Sequence, residues 1–298
     1  MKNKWLWIVS GGTVGFFMLF FASIMIATLL FGDGKKLVGE SGIGLVEVKG
    51  VILDPQETVK QLHDFGRDTS VKAVVLRIDS PGGIVGPSQE IYQEVKKLAA
   101  RKKVIVSMGS IAASGGYYIA APATLIFANP GTITGSIGVL MKFSNIEGLL
   151  GKLGMKAFTL KTGRYKDSGS PVRPMTNEEK ALLQGVIDNT HGQFVRAVAE
   201  GRRLPLDQIH SIADGRIFSG EQALALKLVD RLGSLQDAIE EAGRLTGIEG
   251  EPHIIRPPKK KKLLLDMLVE ETASRINALA KEEIGLSINY EMPSFEEK

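Results

Sequence analysis

Two kinds of apolar pattern alternate along the chain after about residue 40. Short runs of apolar, β-branched residues are typical of buried strands, and longer segments with apolar residues every three or four positions are typical of helices. This alternation predicts parallel pairing through crossovers, and hence an α/β fold with both sheet faces covered. The predicted strands are 43–48, 73–78, 104–108, 125–128, 137–141 and 157–160, and the predicted helices are 55–68, 87–100, 175–203, 206–212, 220–226 and 235–245.

The N-terminal segment is apolar without interruption. Residues 5–31 contain no charged side chain, and a run of this length can cross a hydrocarbon core of about 30 Å. The basic residues that precede it favour a cytoplasmic N-terminus. We therefore expect a retained single-pass anchor in residues 1–35, with the rest of the chain outside the cytoplasm. A cleaved signal peptide is the alternative, although its apolar core is usually shorter.

Composition narrows the classes of function. The chain has 298 residues, a net charge of +4 and no cysteine, which excludes disulfides, cysteine nucleophiles and thiolate metal sites. Its four histidines have no metal-ligand spacing, so we expect no metal and no other cofactor. No basic face interleaved with aromatic residues is evident, so we expect no nucleic-acid partner.

Two glycine-rich loops follow neighbouring predicted strands. Ser80-Pro81-Gly82-Gly83 comes after strand 73–78. Its Pro–Gly pair favours a type II turn with a positive φ at the glycine, and the second glycine leaves an N–H free to stabilise an oxyanion. Gly109 to Gly116 follows strand 104–108 and holds Ser114 among small residues, at a strand-to-helix junction suited to a nucleophile.

Each loop alone has a simpler interpretation, as a plain turn or as a site of close helix packing. The two loops, however, leave consecutive strands at similar points. In a parallel sheet both would lie at the carboxyl edge, where α/β proteins bind ligands. Together they predict a nucleophile that faces a two-donor oxyanion hole.

The histidines are poor candidates for the general base. His63 and His253 lie outside the predicted site, and His210 falls in a polar helix. His191 falls on the apolar face of helix 175–203, which predicts a core histidine with satisfied hydrogen bonds.

The loop 161–171 offers a lysine base instead. It is punctuated by glycine and serine and joins a predicted strand to helix 175–203, whose start has a capping-box pattern in Thr176 and Glu179. The loop can therefore reach the active edge. A lysine base must be uncharged, which desolvation against apolar walls favours. The residues alone do not choose between Lys161 and Lys166.

Four motifs, in this order, resemble the signal peptide peptidases of the SppA type, in their half-length bacterial form. They are Ser80-Pro81-Gly82-Gly83; Ala112-Ala113-Ser114-Gly115-Gly116-Tyr117-Tyr118; Thr134-Gly135-Ser136-Ile137-Gly138-Val139; and Lys161-Thr162-Gly163 with Tyr165-Lys166-Asp167 and Ser170-Pro171. The resemblance covers residues 43–247, and four motifs in order are far more specific than any one of them.

The resemblance implies a ClpP/crotonase-like fold of repeated ββα and βαβ units, preceded by one N-terminal transmembrane helix. It implies that Ser114 is the nucleophile and Lys166 the general base. Gly83 and Gly115 would donate N–H groups to the oxyanion, and Ser136 would orient the lysine through a hydrogen bond.

The neighbouring Asp167 carboxylate should point away from the Lys166 amine, because an opposite charge keeps an amine protonated. The expected function is that of a membrane-anchored serine endopeptidase, which cleaves released signal peptides and other apolar peptides outside the cytoplasm. The resemblance adds a ring-like homo-oligomer, expected to be an octamer. Three alternatives stay open: crotonase-type acyl-CoA chemistry, an inactive anchored scaffold, and a protease dedicated to one membrane-protein partner.

The predicted domains are the anchor 1–35, a catalytic domain 36–257 and a tail 258–298. Paired prolines at Pro257-Pro258 favour an extended, poorly packed stretch. Beyond four consecutive lysines, residues 263–283 have the pattern of an amphipathic helix. We expect either a loosely ordered terminus or a docking or self-regulating arm that the protease itself can cleave.

Overall fold

The computed structural model describes Ser23, residues 41–258 and the backbone of residues 289–291. The chain divides into two compact units, 1–40 and 41–298. Apart from Ser23, the predicted anchor helix and the predicted tail helix 263–283 lie outside the described residues. No helix in the described part of the chain is long and apolar enough to cross a membrane.

Strands and helices alternate through the second unit, as the apolar pattern predicts. The strands are β1 (Gly42–Lys49), β2 (Val71–Ser80), β3 (Gly82–Ile84), β4 (Lys103–Ala113), β5 (Leu125–Ala128), β6 (Ile133–Gly135), β7 (Ile217–Ser219), β8 (Arg231–Leu232), β9 (Ile254–Ile255) and β10 (Asn289–Glu291). The helices are α1 (Gln56–Arg67), α2 (Val85–Ala99), α3 (Gly115–Ala120), α4 (Glu147–Lys152), α5 (Asn177–Arg202), α6 (Leu206–His210), α7 (Gly220–Ala225) and α8 (Leu235–Thr246).

The main sheet has the strand order β7-β6-β4-β2-β1-β9. Its central pairs, β1 with β2 and β2 with β4, are parallel, and β7 is antiparallel to β6. Strand β4 is long enough to serve two neighbours: residues 105–107 pair with β5, and residues 111–113 pair with β6. The predicted α/β class with parallel pairing is confirmed, and the mixed sheet fits the expected ClpP/crotonase-like fold.

The sheet is buried on both faces, because side chains of β2 alternate between two apolar clusters. Val74, Leu76 and Ile78 belong to a large cluster with residues of α1, α2 and α5. Ala73 and Val75 belong to a second cluster that includes Ala238, Ile239 and Ala242 of α8. This double burial accounts for the nearly continuous apolar sequence of β2.

Two predicted strands are wrong. Residues 137–141 do not form a strand; the strand in this part of the chain is β6, which ends just before them. Residues 157–160 do not form one either: Phe158 and Leu160 are 86% and 92% exposed. Their alternating apolar sequence has no partner within the described part of the chain. A strand-like pattern forms a strand only where another strand is available to pair with it.

Candidate active site

The two glycine-rich loops lie side by side. Strand β4 pairs with β2 in parallel up to the pairs Ile78 with Met108 and Ser80 with Ala112. Both strands therefore end at the same edge of the sheet. The chain then enters β3 after β2 and α3 after β4, so the predicted nucleophile and the predicted oxyanion glycines share one edge.

Ser114 lies between the last residue of β4 and the first residue of α3. Its backbone has φ 52° and ψ −118°, the conformation of the first central residue of a type II′ turn, which usually belongs to glycine. Its N–H donates to the carbonyl oxygen of Gly135 at 2.8 Å, and its carbonyl oxygen accepts from Tyr118 at 2.8 Å. Ser114 is 1% exposed, and its Oγ has no hydrogen-bond partner among the described residues.

Gly83 and Gly115, the two predicted oxyanion donors, are neighbours in space. A β-carbon at Gly115 would lie 3.2 Å from the nitrogen of Gly83 and 2.7 Å from Oγ of Ser88. A β-carbon at Gly83 would lie 2.2 Å from the carbonyl oxygen of Ile52. Neither position has room for a side chain, and the close approach of their backbones brings two N–H donors beside Ser114.

The Gly83 N–H points to the edge of β3 opposite Ile52. Ile52 bonds with the residues on either side of Gly83: its N–H donates to Gly82 at 2.8 Å, and its carbonyl accepts from Ile84 at 2.8 Å. Because the backbone groups of successive strand residues point to opposite edges, those of Gly83 face the other edge of β3.

That other edge of β3 pairs with a segment of the tail. The backbone of residues 289–291 runs antiparallel to β3, with Tyr290 opposite Gly83, Asn289 opposite Ile84 and Glu291 opposite Gly82. The edge of β3 can therefore accept an extended chain as an added strand, which is a general mode of peptide recognition.

Ser136 follows Gly135, the residue whose carbonyl oxygen binds the Ser114 N–H. It is 5% exposed and has a φ of 51°, and its N–H donates to the carbonyl oxygen of Arg216 at 2.8 Å. The two serines predicted for the site thus lie on adjoining strand ends, and both have left-handed backbones.

Lys166 lies on an exposed loop, 161–173, that is held by charged side chains other than its own. The Asp167 carboxylate accepts hydrogen bonds from Arg173, at 3.0 Å from Nε, and from Lys161. Arg173 also binds Glu179 of α5 at 2.6 Å. As expected, the Asp167 carboxylate binds Arg173 and Lys161 and not the Lys166 amine.

This charged cluster strongly favours ionised carboxylates. The hydrogen bond from Arg173 lowers the pKa of Glu179 from its usual value to about 2. Hydrogen bonds from Arg173 and then Lys161 hold the pKa of Asp167 far below its usual range. Glu179 also accepts from the Thr176 N–H at 2.9 Å, which completes the predicted capping box. The cluster therefore ties the lysine-bearing loop to the start of α5.

The structure corrects the prediction for His191. Its Nε2 is buried and has no hydrogen-bond partner among the described residues, so it is not a core histidine with satisfied hydrogen bonds. It lines a cavity of about 360 Å³ that Ser136 and Asp188 also line.

Ser80 has a role that was not predicted. Its Oγ accepts from the N–H of Gly82 at 3.1 Å, and Gly82 has a φ of 107°. The serine thus fixes the turn that leads into β3. A polar residue between an apolar strand and a Pro–Gly pair was the available signal.

Comparison with known proteins identifies the family. The family model described as peptidase family S49 matches residues 96–249, more than half of the chain. The chain belongs to peptidase family S49. The family assignment makes the chain a protease, and the resemblance to the SppA type is confirmed.

Named relatives agree with this assignment. A protein of Synechocystis sp. named as a candidate protease is 46% identical over 70% of this chain and 75% of its own length. One from Methanocaldococcus jannaschii, also named as a candidate protease, is 39% identical over 78% of this chain and 80% of its own length. A candidate signal peptide peptidase SppA of Enterococcus faecium is 32% identical over 96% of this chain and 89% of its own length.

Proposed function

We propose that this S49 protease is a membrane-anchored serine endopeptidase with Ser114 as nucleophile and Lys166 as general base. Its substrates are released signal peptides and other extended, apolar peptides outside the cytoplasm. The observation that carries the proposal is the meeting of Ser114, Gly115 and Gly83 at one end of the sheet.

The chemistry follows from that arrangement. Ser114 Oγ attacks the scissile carbonyl carbon while the Lys166 amine takes the hydroxyl proton. The N–H groups of Gly83 and Gly115 donate to the oxyanion that forms. Collapse breaks the C–N bond, the lysine returns its proton to the leaving amine, and water then hydrolyses the acyl-enzyme with the same lysine as base.

The choice of Lys166 over Lys161 has support in the loop itself. The Lys161 amine is bound to the Asp167 carboxylate, so its hydrogen bonds are used within the loop and it has a structural role there. Lys166 is exposed in the single chain, so the proposal requires that assembly or substrate covers the loop and brings this amine to Ser114.

The peptide substrate is supported by the pairing of residues 289–291 with β3. An added strand places its backbone along Gly82–Ile84, and a scissile carbonyl in that strand would lie near the Gly83 N–H. A folded protein cannot supply such a strand without unfolding, so the proposed substrates are unfolded segments.

The test is cleavage by the full chain, in detergent micelles, of a fluorogenic peptide whose sequence imitates the apolar core of a signal peptide. Wild type should cleave it, and a fluorophosphonate probe should label Ser114. Cleavage by Ser114→Ala at the wild-type rate would exclude the proposed nucleophile, and absence of cleavage by the wild type would contradict the proposed substrate class.

A further inference from the structure

Strand β4 is irregular shortly before Ser114, and the proposed mechanism does not involve this irregularity. Between the pairs Ile78 with Met108 and Ser80 with Ala112, one residue on β2, Asp79, faces the three residues 109–111 on β4. This is a β-bulge, which bends a strand and re-aims the side chains that follow it. The bulge lies directly before the nucleophile loop.

Side chains bind the backbone groups that the bulge leaves unpaired. Asp79 Oδ1 accepts from the N–H of Ile111 at 3.1 Å. Nη1 of Arg77 donates to the carbonyl oxygen of Met108 at 2.9 Å, and Thr132 Oγ1 donates to that of Gly109 at 2.7 Å. These three side chains, here called the bulge clamp, replace the missing ladder bonds and so fix one bulge geometry.

The Asp79 carboxyl group packs closely against Gly109. A β-carbon at Gly109 would lie 2.6 Å from Cγ of Asp79, so the bulge closes around this carboxyl group only because residue 109 has no side chain. Asp79 also directly precedes Ser80, whose Oγ binds the Gly82 N–H that leads to Gly83. Asp79 thus connects β4, which leads to Ser114, with β3, which contains Gly83.

The segment from the bulge to Ser114 is held along its length. Thr134 Oγ1 donates to the carbonyl oxygen of Ala112 at 2.7 Å, and residues 111–113 pair with β6. A shift at the bulge is therefore carried to Ser114 rather than absorbed on the way. Misplacement by about 1 Å can cost on the order of 100-fold in rate.

We infer that Asp79 is a positioning residue for the reaction: by holding the Ile111 N–H, it sets the separation between Ser114 Oγ and the Gly83 N–H. It does not touch the substrate or the reacting atoms. This inference rests on the proposed role of Ser114, and it adds a determinant of kcat that lies outside the dyad and the oxyanion donors.

The experiment compares kcat, KM, melting temperature and the rate of fluorophosphonate labelling in full-chain variants. Asp79→Ala should lower kcat about 10- to 100-fold, with KM within about threefold of wild type and a parallel loss of labelling rate. Asp79→Asn should recover most of both rates, because the amide oxygen still accepts from Ile111. The matched control is Asp68→Ala, which removes a carboxylate bond to the Ser70 N–H at the opposite end of β2 and should lower the melting temperature without lowering kcat.

Three results would overturn the inference. They are a kcat loss in Asp79→Ala no larger than that in Asp68→Ala, a loss in Asp79→Asn equal to that in Asp79→Ala, or a change confined to KM. If Asp79→Ala does not fold, Thr132→Val removes the hydroxyl that binds Gly109, and unchanged kcat in that variant would exclude the bulge clamp. Ser114→Ala, measured in parallel, separates the two proposals, because activity in that variant would defeat the nucleophile assignment itself.

Discussion

The backbone N–H of Ser114 donates to the carbonyl oxygen of Gly135 at 2.8 Å, and this bond joins the end of β4 to the end of β6. Gly135 directly precedes Ser136, so the bond brings the proposed nucleophile close to the serine that we expect to orient the lysine. The hydroxyl of Ser114 is buried without a hydrogen bond among the described residues. A proton acceptor must therefore reach it before it can react.

The first prediction concerns that acceptor. Ser114→Ala and Lys166→Ala should each lower peptide cleavage by about 1,000-fold or more, and the double variant should be no worse, because the two residues act as a unit. Steady-state cleavage of the fluorogenic peptide is the measurement, with circular dichroism to confirm folding.

Lys161→Ala is the matched control for the dyad. It removes an amine from the same loop but leaves Lys166, so it should retain far more activity than Lys166→Ala. Near-normal turnover in Lys166→Ala, together with loss in Lys161→Ala, would reassign the base to Lys161.

The second prediction concerns assembly. Phe158 and Leu160 are almost fully exposed, next to the loop that carries Lys166, and we expect a second copy of the chain to cover them in the proposed ring. Phe158→Ser with Leu160→Ser should shift the particle to a smaller mass in multi-angle light scattering and lower its activity. Leu206→Ser, at an exposed leucine in α6, is the control and should change neither.

Mixing inactive variants tests where the lysine comes from. If assembly brings Lys166 of one copy to Ser114 of another, co-assembled Ser114→Ala and Lys166→Ala chains should regain activity that neither has alone. No recovery in mixed particles would mean that each chain supplies both residues of its own site.

The third prediction concerns acid. The pKa of Glu179 is lowered to about 2 by the hydrogen bond from Arg173, so its ion pair stabilises the folded state above the ordinary glutamate pKa. This contribution is lost as pH falls from about 4.5 through about 2. The melting temperature of wild type should therefore fall across that window.

Glu179→Gln should show a shallower fall over the same pH range and a lower melting temperature at pH 7. Glutamine can still complete the capping box with Thr176, so the variant isolates the charge. Glu221→Gln, in the first turn of α7, is the control. Parallel profiles for wild type and Glu179→Gln would show that the Arg173 pair does not contribute to stability.

The fourth prediction concerns the tail. Residues 289–291 pair with the edge of β3 that we propose for substrate. Truncation after Arg256 should therefore leave a folded catalytic domain and lower the KM for peptide. Tyr290→Pro in the full chain should act in the same direction, because proline removes an N–H from the added strand. An unchanged or raised KM in both variants would contradict this competition.

Local patterns predicted most of the described helices, although α4 was not predicted. The capping box of Thr176 and Glu179 marked the start of α5, and apolar periodicity identified α1 and α8. The same signals were wrong for 157–160, because a strand depends on a partner that can be distant in sequence or belong to another copy. Boundaries set by local chemistry were thus more predictable than strand pairing.

The candidate site also has features that local sequence predicts and features that depend on strand pairing. The Pro–Gly turn and the small residues around Ser114 are local features, and they indicated the site before the fold was known. The bulge opposite Asp79 depends on the register between two strands about 30 residues apart in sequence, which no local pattern reveals. The ion pair between Lys161 and Asp167 is likewise visible only in the folded loop, since the residues alone did not choose between Lys161 and Lys166.

The left-handed backbone of Ser114 lowers the thermal stability of the protein, and this cost comes with the proposed nucleophile. A non-glycine residue in a sparsely populated backbone region costs about 1–3 kcal/mol, and alanine at position 114 would retain that cost. Glycine would remove that cost. Ser114→Gly is therefore expected to melt at a higher temperature than both the wild type and Ser114→Ala. Selection for thermal stability alone would thus favour a variant that lacks the proposed nucleophile.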